Sequence, residues 1–181
     1  MMPRRAVAAA AAALLLTATL GVTACMPEPE PTPTPTGFAS EAEAFAAAEE
    51  TYRAYVDALN QVDLSDPATF EPVFAWTTGE ANANERETLS RMHADGWTKT
   101  GLSELIAYTG GNADISTGRV DGVACVDVST INVVDPSGAS VVPPERPDQY
   151  SLEVVMTSTT TSPTGLRIAS SSALEGGSCE G

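Results

Sequence analysis

The sequence predicts an α+β domain, helices first and an antiparallel sheet after them. Three observations lead there. Apolar residues recur at three- and four-residue steps from Phe45 to Val62, the period of an amphipathic helix. From Val120 onward the chain turns to β-branched residues with stretches of alternation. Leu152, Val154 and Met156 fall on one face there, Glu153 and Val155 on the other, which is the period of a strand. Two turn formulae, Asp135-Pro136-Ser137-Gly138 and Ser162-Pro163-Thr164-Gly165, place proline and glycine where hairpin turns take them. Helices followed by hairpins give α+β order, not alternating α/β.

Taken in order, Ser40 is a helix cap, with Glu41 and Glu43 in the first turn where the helix dipole favours acids. Phe45, Ala48, Tyr52, Tyr55, Val56, Leu59 and Val62 form one stripe, and Glu49, Glu50, Arg53 and Asp57 take other faces. Asp66-Pro67 starts a second helix, because proline suits the first helical position. Phe70, Val73, Phe74 and Thr77 line it, and Gly79 with Ala81-Asn82-Ala83-Asn84 reads as its break. A third helix is expected over 85–94, with Leu89, Met92 and His93 on one side. Short strands are expected over 98–100 and 105–108, then a loop through Gly110-Gly111-Asn112. Residues 120–134 read as one long strand bent at Gly122, and residues 151–161 and 166–174 as two more. The prolines of residues 143–147 exclude that stretch from a central strand.

The N-terminus has a different logic. Met1-Met2-Pro3-Arg4-Arg5 is a basic start, followed by an apolar run over residues 6–20. A membrane-crossing helix needs about 20 apolar residues, so this run has the build of a signal peptide. Val22-Thr23-Ala24-Cys25 resembles the bacterial lipobox. The resemblance implies cleavage after residue 24, lipid on Cys25, and anchorage at the outer face of the cytoplasmic membrane. The alternative is an ordinary secretory signal that leaves Cys25 a free thiol. Residues 27–36 carry proline at every second position, which favours polyproline II and spans roughly 30 Å. The expected organisation is a signal peptide over 1–24, a lipidated Cys and stiff spacer over 25–37, and one domain over 38–181, long enough for a single core.

Charge and cysteine count narrow the function. The leader removes Arg4 and Arg5 and no acid, so 7 of the 9 basic residues remain against 24 acidic ones, a charge of −17. Such a surface repels phosphate backbones, which excludes nucleic acid as a partner. With Cys25 given to lipid, Cys125 and Cys179 remain, an even pair in an oxidising compartment. A disulfide is expected, two buried thiols being the alternative. Too few Cys and His remain for a zinc–thiolate site. No nucleophile elbow, phosphate loop, zincin motif or EF-hand loop is present, and no cofactor is expected.

A long first helix, two shorter ones and a curled sheet over roughly residues 40–175 resemble the NTF2-like, or SnoaL-like, cone. Ala94-Asp95-Gly96-Trp97 and Cys125-Val126-Asp127-Val128 also resemble small actinobacterial lipoproteins. A cystatin-like single helix on a sheet is the competing architecture. The cone resemblance implies a cavity, and with it three classes of function: a non-catalytic surface domain binding an envelope protein or wall component, a carrier of a small apolar ligand, or a metal-free acid–base enzyme. For the third, His93 is the only histidine, the residue type that serves most readily as a general base; its structural alternative is packing on Trp97. Asp127 shares a face with Val123, Cys125 and Ser129, which is either the cone interior or the outside. Tyr52, Tyr55 and Tyr108 are pocket donors or core rings, and Trp76 and Trp97 are core or rim anchors. Replacing Cys25 with Ser is expected to release the protein from the membrane fraction or leave its leader uncleaved. Mass spectrometry of the membrane-bound wild type checks this, and an unmodified Cys25 would overturn it.

Overall fold

The computed structural model describes residues 37–174 and Cys179; the leader, Cys25 and most of the spacer lie outside the described residues. Helix α1 spans Glu41–Asn60, and Ser40 caps it by accepting from the Glu43 amide. The Glu43 carboxylate in turn accepts from the Ala39 amide at 2.8 Å, a reciprocal closure of the helix start. Asp66 caps a 3₁₀ turn, Pro67–Phe70, which runs into the short α2, Glu71–Ala75. Helix α3 spans Gly79–Ala94. Six strands follow: β1 Thr98–Thr100, β2 Glu104–Asp114, β3 Arg119–Asp127, β4 Asn132–Val134, β5 Gln149–Ser158 and β6 Leu166–Ala173. The main sheet is antiparallel in the order β2-β3-β5-β6, and β1 pairs with β4 in a sheet of two. The expected α+β order, helices packed on a curved antiparallel sheet, is what the structure shows. Among the described residues no helix is long and apolar enough to cross a membrane.

Three expected boundaries differ, each for a physical reason. Helix α3 begins at Gly79, not at 85. The polar stretch does not break it, because the Asn82 amide turns inward and donates to the Phe74 carbonyl and the Thr77 hydroxyl. Strand β2 runs straight through Gly110-Gly111-Asn112, with bulges beside Leu105 and Gly110. The long strand expected over 120–134 is two strands in different sheets. It breaks where Asp127 Oδ1 accepts from both the amide and the hydroxyl of Ser129. The same Asp-x-Ser turn recurs at Asp63, Asp114 and Asp135, each a local alternative to ladder pairing.

The helices cover one face of the sheet. Ala48, Tyr52 and Val56 of α1 bury against Ala124, Val126, Val154 and Met156. A glycine pair, Gly110 opposite Gly122, lies in the β2–β3 ladder. The Phe45 ring occupies the space a side chain at Gly110 would need, and a Cβ at Gly122 would lie 2.5 Å from the Tyr108 hydroxyl and 2.8 Å from the Thr109 carbonyl. The outer edge of β6 is also covered. Thr78 donates to the Ile168 carbonyl at 2.8 Å, and Ile168 donates to the Trp76 carbonyl at 3.0 Å.

Cys125 and Cys179 form the expected disulfide, with Cα atoms 5.4 Å apart. It closes a separation of 54 residues. Replacing both cysteines with Ala is expected to lower the unfolding free energy by about 4 kcal/mol in the chain-entropy account. Urea denaturation measures this, and a loss under about 1 kcal/mol would mean that the bridge restrains little.

Candidate functional site

Two adjoining cavities open between the C-terminal half of α1, α3 and the strands. One has a volume of about 380 Å³ and is lined by Tyr52, Tyr55, Tyr150, Leu152 and Ser171, among others. The other, about 210 Å³, lies toward β1 and β4 and is lined by Leu64, Leu89, Met92, Lys99 and Val133, among others. Leu59, Glu85, Ser103 and Val128 line both. A larger depression of about 660 Å³ lies between Phe38 and the turn following β5; its walls are mostly apolar by area, and among the described residues Glu43 is its only titratable lining group. The paired cavities hold the convergent groups, so they are the candidate site.

Glu85 stands at the junction. It lies four residues after Ala81 and four before Leu89, both buried, so helical spacing turns it inward. The Tyr55 hydroxyl donates to its Oε1 at 2.5 Å. Burial raises the Glu85 carboxyl above its ordinary 4.5, and the Tyr55 bond offsets part of that. Burial likewise lifts the Tyr55 phenol well above its usual range, with the Glu85 charge adding to the effect. Tyr52 is pushed up to about 12 by burial, despite a hydrogen bond with Ser171. Tyr52 and Tyr55 meet edge to face at 5.5 Å. The result is a mostly apolar chamber with one carboxyl and two phenols that keep their protons. Such groups can hydrogen-bond a polar atom on a ligand, and Glu85 can exchange a proton with it.

The catalytic candidates read from the sequence, His93, Asp127 and Tyr108, line neither cavity. His93 is exposed in the last turn of α3; its Nδ1 pairs with the Leu64 carbonyl at 2.7 Å and its ring meets the edge of Phe70. Asp127 ends β3 on the side away from the helices, alongside Cys125. The Ser129 hydroxyl and amide, then Gln149, hold its carboxyl below the ordinary range, the opposite of a buried base. Tyr108 does face the helices, with its hydroxyl buried above Gly122 and its pKa pushed up to about 12 by burial. Its ring lies 6.4 Å from Tyr52, yet it lines neither cavity. Trp76 and Trp97 pack against the core. Of the candidate donors, Tyr52 and Tyr55 reach the site. Glu85 and Lys99 were not singled out in the sequence. Extending the third helix back to Gly79 would have revealed Glu85 on the Ala81–Leu89 face.

No family model matches the chain, and no curated protein sequence matches it. Similar solved structures include the intermembrane-space region of the chloroplast protein ARC6, at 14% identity over 72% of this chain and 95% of that one, TM-score 0.48. A protein from Catenulispora acidiphila in complex with S-DNPA matches at 12% identity over 74% and 93%, TM-score 0.47. CagV of Helicobacter pylori, a VirB8 homolog, matches at 6% identity over 71% and 96%, TM-score 0.46.

Because the folded state holds the Glu85 pKa above its unfolded value, the fold binds a proton there that the unfolded chain has released. Stability from this group is therefore full below about pH 4.5 and falls as pH rises toward the raised value. Asp63, Asp114, Asp127 and Asp135 have lowered values and contribute in the opposite sense. Subtracting Glu85→Gln from wild type isolates the buried carboxyl. The Gln variant is expected to gain stability relative to wild type as pH rises above 4.5, read by urea titration at several pH values; a flat difference would contradict the buried placement.

Proposed function

We propose that this chain is a lipoprotein, anchored through Cys25 to the outer face of the cytoplasmic membrane, whose NTF2-like domain holds a small, largely apolar ligand without transforming it. The observation that carries the reading is the pair of cavities joined at Glu85, apolar on most of their walls and open to solvent. The resemblance to a lipobox at Val22-Thr23-Ala24-Cys25 supports the anchor, and the proline-rich stretch over residues 27–36 would hold the domain off the bilayer. An envelope protein could exchange such a ligand at the cavity mouth, and the acidic surface favours neutral or basic partners.

A second reading, acid–base turnover of the bound molecule, is favoured by the raised pKa of Glu85 and the adjacent phenols. The two are separable. The purified chain is expected to enhance the fluorescence of aminoanthracene, a neutral apolar probe. Val128→Trp, which narrows the wall shared by both cavities, is expected to weaken that binding about tenfold, a cost of about 1.4 kcal/mol. No enhancement by the wild type would end the ligand-holding reading. Conversion of a bound carbonyl compound, slowed about a hundredfold or more by Glu85→Gln, would replace it with the catalytic one.

A further inference from the structure

Lys99 is the only lysine in the chain. It sits in β1 opposite Val133, and both residues line the smaller cavity. Among the described residues it is the only cationic side chain on the walls of either chamber. Its surroundings are half-buried, and desolvation lowers its pKa. No side-chain hydrogen bond or ion pair within the described residues engages its ammonium, even though two carboxylates share its pockets. Glu85 lines the same cavity but is bonded by Tyr55. Asp63 lines the groove on the other side of Lys99 but is taken by the amide and hydroxyl of Ser65. The arginines nearest in kind are committed elsewhere: Arg86 lies over the Phe74 ring and near Glu71, and Arg146 donates to the Val128 and Ile131 carbonyls.

A partly desolvated ammonium without an anion is unfavourable, and an anion brought by a ligand relieves it. The same group gives an acidic protein one place where a negative head is not repelled. The chamber behind it is apolar, with Leu59, Leu64, Leu89, Met92 and Val133 in its walls. A volume of about 210 Å³ there, leading past Glu85 into the larger cavity, suits a short hydrocarbon tail. We infer that the ligand is a small amphiphile with a single carboxylate, its head held by Lys99 at the mouth and its apolar tail directed inward past Glu85. The inference rests on the ligand-holding reading above and adds the head-group chemistry to it.

The test compares octanoate with octanol by isothermal titration calorimetry on the purified full chain at neutral pH. The two share a tail and differ in the charge of the head. Wild type is expected to bind octanoate about tenfold more tightly than octanol. Lys99→Met is expected to abolish that preference while leaving octanol affinity within about threefold, and Lys99→Arg to retain most of it. The arginine variant and the octanol arm both guard against a misfolded methionine variant. If wild type binds acid and alcohol alike, Lys99 merely reaches solvent and the head-group inference fails while the cavity reading stands. The inference is also overturned if Lys99→Met weakens both ligands equally in a folded protein. If neither ligand binds, both readings fail together.

Discussion

Where β2 crosses β3, Gly110 stands opposite Gly122, and neither strand presents a side chain to the helices at that point. Phe45 from α1 and Tyr108 from β2 fill the space instead. With the pair of glycines, the Phe45 ring of α1 lies directly against the strand backbone. Farther along α1, Tyr52, Tyr55 and Leu59 line the cavities between this helix, α3 and the strands.

The polar groups in that space follow from the same geometry. Glu85 arrives on α3, which packs on β6 and closes the gap from the other side. A carboxyl so placed is costly to ionise, and the Tyr55 hydroxyl is the partner that makes it tolerable. Replacing Glu85 with a leucine would suit a simple core position, given buried Ala81 and Leu89 on either side. The presence of an acid there, and of the sole lysine across the smaller chamber, is what distinguishes this interior from a filler of apolar residues.

Much of the fold was legible because it depends on local rules. The stripe from Ala48 to Leu59, the Asp66-Pro67 start, the glycine turns before Ala139 and Leu166, and the alternation of β5 each need only the period or the turn chemistry of their own segment. The errors arose where a distant group decides. Asn82 looks like a helix breaker until its amide is seen to tie α3 to Phe74 and Thr77. Gly110-Gly111 looks like a loop until Phe45 supplies the missing side chain. The β-branched run from Val120 to Val134 continues through the break after Asp127, so propensity is silent about it and an aspartate–serine bond makes the division. The site was obscured in turn, because a third helix started at residue 85 puts Glu85 in a solvated first turn, where acids are ordinary.

The segment Trp76–Thr78 lies along β6 and occupies ladder groups that would otherwise face outward. Among the described residues, the four-stranded sheet is thus paired beyond one border only. At the other border, β2 ends the strand order and shows Ile106, 46% exposed, with Leu102, 63% exposed, just before it. A sheet open on both borders can add copies without limit, the route to fibres. A sheet open on one border can add a single neighbour. If two copies met through β2, each would use up the other's free border, so the contact would close on itself as a two-fold pair. Growth by strand addition stops at two, and this would matter most if the proposed anchor crowded many copies onto one surface.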